Sequence, residues 1–504
     1  MAGIDTGIPE SWLLPLFWLT VDGSQAGGSV QSQPALLTGQ KLAAGLAAMN
    51  VPIPIGSKAV ARQQFGVGSM LAAMCAKFLD NNPGQQLWAL PIADPAGGAP
   101  ALGSLNITAS AGVAGTYSLY IAGQLVQIGV GATDTAATIA TNVAAAINAQ
   151  TTLPVTAAVD GAVTSKVDLT CRWTGLTGND IQVSDSYLGL AGGQQLPGAM
   201  AITYVAMSGG TGVPNWTAAI AAIASNTFKH VGMPYTDTGS LSAWATEFGF
   251  GATGRWSYQR QQRGWIYQAY RNDYADALTF GLAQNAPVIS TMAFEPAVPS
   301  PMWEACAAYC AQGAQAFLQD AARPLQTLEL TGILPAPIAG RFSQTEINIL
   351  AGSGLAVQAV DPSGVPAIVR ESTQYQLNAE GQSDTAFSLL TVLSNLDALI
   401  SVMQSAITSK YPRHKLAPDG TRFGPGQAIL TPTMAKAELV AEARDAEFNG
   451  LMSNVTAFIA NLVVQIDPSN PNRLQVLWPP QLMGQLRQFT LLAQFRLLYP
   501  TVIN

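Results

Sequence analysis

Hydrophobic residues recur along this chain with two periods, and the changes between them mark its parts. Residues 35–38 form an apolar run of strand length, followed by a helical run into Met49. Between residues 60 and 80 Met70, Met74 and Phe78 stand at i, i+4 and i+8, the spacing that lines one face of a helix. Residues 88–92 then read as a buried strand. From about Gly98 to Gly212 the runs shorten, charges thin out, and Ala, Gly, Thr and Ser dominate. Here 105–109, 117–121 and 124–130 predict strands joined by Gly-containing turns. Residues 132–150 predict one helix, with Thr133 or Asp134 as cap and Ile139, Val143 and Ile147 along its stripe. Strand patterns return at 155–159, 167–173, 181–183 and 202–207. Because strand–helix alternation resumes after this stretch, it reads as a mostly-β insertion.

After Asn215 the alternation of strand and helix is that of βαβ units. Strands are expected at 228–233, 264–269, 288–292, 323–330 and 367–377. Helices are expected at 240–248, 274–284, 301–318, 385–410 and 431–448; that at 301 opens with a proline in its first turn.

Both ends of the chain carry strand patterns that a closed domain would not leave hanging. Residues 15–21 are a single apolar run, followed at 23–32 by a Gly/Ser-rich link. Residues 472–498 begin as a strand, stop at Pro479 and Pro480, and restart as a second alternating run. Unpaired apolar strands invite pairing with another chain. Such a tail is either an inner strand of its own sheet or a strand lent to a neighbour.

Composition sharpens that choice. Hydrophobic residues make up 48% and charged residues 11% of 504, and mean hydropathy is +0.23. The charged fraction is less than half of the ~25% usual in soluble proteins. No window supplies the ~18 uninterrupted apolar residues of a spanning helix, and no Lys or Arg precedes Lys41, so a signal peptide's basic region is missing. The expectation is a soluble, unsecreted protein with large subunit interfaces and no membrane insertion. Net charge of −7 argues against nucleic-acid binding. Four cysteines, Cys75, Cys171, Cys306 and Cys310, are too few for a disulfide framework in a chain of this length.

Candidate chemistry is sparse. GFGATG from Gly249 to Gly254 matches the dinucleotide fingerprint, with Asp273 about 20 residues on, but it follows a helix and precedes none, whereas the fingerprint needs strand, turn and helix. A nucleotide-binding enzyme using this loop is the alternative reading; a monomeric binding module is a third. Residues 255–271 interleave four arginines with five aromatics and no acid, which suits either a nucleic-acid stacking surface or a structural or subunit-facing patch; the acidic whole chain selects the second. Lys410, Arg413, His414, Lys415 and Arg422 form the densest positive cluster, either a site for phosphate or an acidic partner surface or a solvated cap on the C-terminal end of the preceding helix. Cys306 and Cys310 share a helix face, but only His230 and His414 are available to complete a zinc site, so buried thiols are expected. Neither histidine lies near a nucleophile elbow. No catalytic residue, cofactor or metal is expected.

Residues 299–303 (PSPMW), 322–330 (ARPLQTLEL), 410–416 (KYPRHKL), 419–428 (DGTRFGPGQA), 467–473 (DPSNPNR) and 478–480 (WPP) resemble segments of contractile phage tail sheath proteins, and most of all the Mu-like sheath subunits. The likeness is long and specific over 215–504, and thinner over the N-terminal arm and 34–97. It implies an α/β (α+β) fold: a discontinuous core sheath domain built from the chain's two ends, helices on mixed sheets, a middle part of subtilisin-like topology without peptidase activity, an outward-facing insertion and extended terminal strand arms. The implied division is an arm at 1–33, core α/β at 34–97, insertion at 98–212, α/β sheath domain at 213–380, C-terminal core at 381–484 and an arm at 485–504. The implied function is a structural subunit that polymerises around a tail tube and contracts to drive it through the host envelope. Its partners would be copies of itself, the tube protein, and baseplate and tail-terminator proteins, in the virion tail and, during assembly, the host cytoplasm. Alternation places Leu16, Trp18 and Thr20 on one face of the N-terminal strand, and Phe489, Leu491, Ala493, Phe495 and Leu497 on one face of the C-terminal strand. Residues 473–478 are expected to complete the subunit's own sheet and 488–498 to reach the neighbour. The basic cluster at 410–422 is the expected contact with the tube or an adjacent subunit.

Overall fold

The computed structural model describes residues 33–497. An eight-stranded mixed sheet forms its centre, and β1 (Ala35–Gln40) lies inside it, every residue buried. Such a strand is covered on both faces and flanked on both edges, so Ala35, Leu36 and Leu37 read as an apolar run, while Thr38 and Gln40 are buried polar residues. After β2 (Ile53–Ile55), α1 (Lys58–Phe65) and α2 (Met70–Asn81), the chain returns as β3 (Leu87–Ile92), parallel to β1. Met70, Met74 and Phe78 are fully buried, as their spacing requires. Two expectations fail here. The single helix over 60–80 is two, parted where Gly66 and Gly68 take φ of 87° and 81°. The run into Met49 is not helical, because its backbone bonds to the end of α1 instead: Leu42 N–H to Phe65 O at 2.8 Å and Ala47 N–H to Gln64 O at 2.9 Å. Gly45 lies so close to α1 that a Cβ would sit 2.7 Å from Phe65 Cα.

Residues 100–208 build two further sheets. β4 (Pro100–Ala109), β5 (Gly115–Ile121), β6 (Gln124–Val130), α3 (Ala136–Ala149), β7 (Val155–Val159), β8 (Lys166–Thr174), β9 (Val183–Asp185) and β10 (Ala201–Ser208) follow in order. The sheets run β10-β4-β8-β7 and β6-β5-β9. The β5–β6 hairpin turns on Ala122 and Gly123, both at positive φ, as a two-residue I′-type turn demands. Ile139, Val143 and Ile147 are the buried stripe of α3. Its cap is Thr135, whose hydroxyl accepts from Thr138 N–H; Asp134 instead accepts from Gly131 N–H at 2.7 Å.

The central sheet then resumes. α4 (Trp216–Ile223), β11 (His230–Gly232), α5 (Thr238–Phe248), β12 (Trp265–Arg271), α6 (Tyr274–Leu282), β13 (Ile289–Phe294), α7 (Met302–Gln319), α8 (Gln344–Gly352), β14 (Ala356–Val360) and β15 (Pro366–Arg370) complete it. The strand order is β15-β14-β13-β12-β11-β1-β3-β2. Segments from both sides of residues 100–208 therefore share one sheet. α7 is buried over most of its length, and Gly313 lets Tyr267 approach so closely that a Cβ would lie 2.3 Å from its hydroxyl. Residues 323–330 are not a regular strand, since Thr327 takes φ of 71°. They still cover the sheet's edge, through Thr327 N–H to Ile368 O and Leu330 N–H to Pro366 O, both 2.7 Å. The strand expected over 367–377 ends at Arg370, where the chain turns into a buried polar interior around Glu371 and Gln374.

A second, smaller core follows in α9 (Leu390–Lys410), β16 (Lys415–Leu416), β17 (Ile429–Leu430), α10 (Pro432–Phe448), β18 (Met452–Ser453), α11 (Val455–Asn461), β19 (Val463–Asp467), β20 (Asn470–Leu477) and β21 (Gln481–Leu482). Leu399, Met403, Leu439, Ala443, Phe458 and Leu462 fill it. By length and composition α9 is, among the described residues, the one helix able to cross a membrane. Its apolar side instead packs on α10 and the central sheet's core, with half of its most apolar stretch buried.

Candidate assembly surface

The C-terminal tail crosses from the small core to the central sheet and then leaves it. β21 pairs antiparallel with β18, and Met483 N–H donates to Leu451 O at 3.2 Å. Gln326 Nε2 donates to Leu486 O at 3.2 Å. Arg487 then makes a two-pronged ion pair with Glu371: Nη1 reaches Oε2 at 2.9 Å, and Nη2 pairs with Oε1. Glu371 is completely buried and also accepts from the Thr391 hydroxyl at the start of α9. A forked, charge-assisted contact of this kind fixes direction as well as position. Beyond it, among the described residues, 488–497 form no strand, and their side chains stand in solvent. Phe489 is 81% and Phe495 85% exposed, with Leu491, Leu492 and Leu497 similar. The root of this segment borders a groove of about 370 Å³ between α8 and β14–β15, lined by Ile347, Ala351 and Val369.

Residues 473–478 do not join the central sheet. β20 pairs only with β19, an antiparallel hairpin hydrogen-bonded to no third strand among the described residues. The missed half of that hairpin, β19, follows the short helix α11 without a turn residue to signal it. Asp467 ties the turn: its carboxylate accepts from Ser469 N–H at 2.8 Å and from Arg473 Nε at 2.5 Å, and these donors hold its pKa down to about 2. Leu16, Trp18 and Thr20 lie outside the described residues.

The basic cluster stays together on the loop that leaves α9. Arg413, His414, Lys415 and Arg422 are exposed, and Lys415 Nζ donates to Gln427 Oε1 at 2.9 Å. Lys410 differs, because it pairs with Glu438 and Glu442 on α10. Nearer its N-terminal end, α9 is pinned by Asp397, which accepts from Arg263 Nε at 2.6 Å and pairs with Lys229. Burial pulls the Lys229 pKa down, opposed by Asp397.

The arginine–aromatic stretch is consumed internally. Arg255 and Arg260 share Glu247, Arg263 takes Asp397 and Arg271 takes Asp180. The acids that neutralise it lie elsewhere in sequence, which is why the stretch looked unpaired. The Gly249–Gly254 run follows α5 and leads into turns, and Gly254 packs on Gly249 O. Its backbone serves the Arg255 fold-back, not a phosphate cradle. Cys306 and Cys310 are buried on α7, and burial raises both thiol pKa values. His230 is buried too, its Nδ1 3.2 Å from the Tyr267 hydroxyl and its Nε2 3.3 Å from Gln33 Oε1. Among the described residues no three His, Cys, Asp or Glu side chains gather to hold a metal.

The family described as phage tail sheath protein central domain matches residues 209–373, and that of the phage tail sheath C-terminal domain matches 382–496. The Mu-like prophage FluMu tail sheath protein of Haemophilus influenzae is 34% identical over 490 residues, covering 97% of this chain and 98% of that protein. The chain belongs to the phage tail sheath family. Solved structures of sheath tail proteins from Desulfitobacterium hafniense and Listeria innocua align at 10% identity with TM-scores of 0.45 and 0.46. They cover 93% and 90% of this chain, and 100% and 92% of those chains. This sheath chain is a structural subunit of a tail, and the sequence motifs at 299–303, 322–330, 410–416, 419–428, 467–473 and 478–480 fall within the two matched regions.

Proposed function

We propose that this sheath subunit polymerises helically around a tail tube and contracts to drive that tube through a host envelope, with strands lent between neighbours as the connection. The observation that carries this is the exposed run at 488–497. It alternates apolar and polar residues after a buried Arg487–Glu371 anchor and has no partner strand within the described residues. An apolar run anchored at its root and exposed beyond it is suited to pair with a strand elsewhere. Phe489, Leu491, Ala493, Phe495 and Leu497 would form its contact face. The β19–β20 hairpin, whose outer edges pair with no strand among the described residues, is a matching acceptor, since a lone hairpin gains stability from a third strand. The N-terminal strand with Leu16, Trp18 and Thr20 would act in the same way, on the link at 23–32.

In this reading the role is mechanical, not enzymatic: energy is stored in subunit packing, and hinged connections survive while subunits rotate and slide. The arms would be 1–33 and 485–504, with core α/β at 34–97, an α/β sheath domain at 213–380, a C-terminal core at 381–484 and an outward-facing insertion at 98–212. Partners are further copies, the tube protein, and baseplate and tail-terminator proteins, in the virion tail and, during assembly, in the host cytoplasm. The exposed Arg413, His414, Lys415 and Arg422 would meet an acidic surface on the tube or an adjacent subunit, with Lys410 held back by α10. Deleting 488–504, which leaves the Arg487–Glu371 anchor in place, tests the strand reading: sedimentation should show a folded subunit that no longer polymerises. Polymers of unchanged size from the truncated chain would refute it.

A further inference from the structure

In open α/β sheets the ligand crevice lies outside the carboxyl ends of the strands, where successive connections leave in opposite directions. That point in this sheet is between β1 and β11: the chain moves from β1 to β3 on one side and later from β11 to β12 on the other. A helix N-terminus beside such a crevice offers unpaired N–H groups to an anion. Here α7 supplies them.

The crevice is already filled, and by the chain itself. The turn Leu176–Asp180, just after β8, enters it. Gln40, at the carboxyl end of β1 and buried, donates from Nε2 to Thr174 O at 2.7 Å and accepts from the Thr177 hydroxyl at 3.3 Å. Asp180 Oδ2 accepts the first N–H of α7, that of Met302, at 2.6 Å. Its Oδ1 pairs with Arg271, the last residue of β12, whose side chain is 5% exposed. Arg271 Nη1 is held in place by Val298 O at 2.8 Å. Trp173 meets Trp303 edge-on at 5.4 Å alongside. Only about 140 Å³ of the crevice is left open, lined by Thr177, Asp180, Tyr235, Asp237, Tyr270 and Arg271.

We propose that Asp180 acts as a built-in anionic ligand that locks residues 100–208 onto the central sheet, so that the inserted module and the core move as one body. The lock uses a carboxylate where a separate anion would otherwise bind. The lock works beside the module's other ties to the core, the Tyr187 hydroxyl on Pro335 O at 2.8 Å and the Trp173–Trp303 contact, and beside the two chains that enter and leave near Ala99 and Thr211, which bridge each other.

Hydrogen exchange of the full-length protein tests this with Asp180→Ala, in sodium chloride and in sodium formate of equal ionic strength. Amides of 174–182 should exchange about tenfold faster or more in chloride, the scale set by one lost charge-assisted hydrogen bond. Formate, a free carboxylate, should slow them again in the variant and leave the wild type unchanged. Exchange within twofold of wild type, or acceleration that formate relieves no better than chloride, would overturn the proposal. Should Asp180→Ala not fold, Asp180→Asn keeps the shape and loses the charge. It should loosen 174–182 selectively, and unchanged exchange there would be equally decisive against the lock.

Discussion

Single residues set where the arm begins and how the core responds to acid. Glu371 is fully buried with Arg487 as its ionic partner. Replacing Arg487 with Met strands that carboxylate, and losing one member of a buried pair costs about 3 kcal/mol or more. Urea unfolding should show that loss, and adding Glu371→Gln should recover much of it; full stability in the single variant would mean that the pair anchors nothing. His230 gives a pH signature. Burial, with a smaller push from Lys229, lowers its pKa from 6.5 to about 3. Below 6.5 the unfolded chain takes up a proton that the folded chain refuses, so stability present above pH 6.5 falls as pH drops toward 3. His230→Asn should therefore flatten the acid limb of stability against pH by up to about 1.4 kcal/mol per pH unit. An acid limb of unchanged slope would exclude His230 as its source. Neither site was legible in the sequence, since both depend on partners far along the chain: Glu371 lies 116 residues from Arg487, and Tyr267 37 from His230.

Elements were legible where one period ran unbroken. The stripes Met70–Met74–Phe78 and Ile139–Val143–Ile147 became buried helix faces, and β3 emerged from a continuous apolar run. Reading failed where backbone geometry outweighed pattern: at Gly45, whose chain adds its bonds to α1, at Gly66 and Gly68, which split a helix, and at Thr327, which bends an edge segment out of strand geometry. The candidate surface was half visible. Its exposed, largely alternating run at 488–497 could be read from the sequence, but β19, and with it the hairpin, could not. The basic loop after α9 carries its own prediction. Reversing charge at Arg413 and Lys415, both exposed, should leave the subunit's thermal unfolding within experimental scatter and weaken its co-sedimentation with purified tail tubes, most at low salt. Normal sheathing of tubes by that variant would remove the loop from the contact.

The whole molecule combines a charge-poor composition with an apolar segment that stands exposed among the described residues. Only 11% of residues are charged, and the large exposed apolar side chains concentrate in the last described stretch, from Leu486 to Leu497. A subunit meant to remain alone would bury or charge such a segment. One meant to join a lattice keeps it open, anchored at Arg487 and aligned by alternation. Electron microscopy of the purified full-length protein at high concentration tests this most directly. The account predicts helical tubes with subunits joined along their length; a uniform population of 52.5 kDa monomers would contradict it.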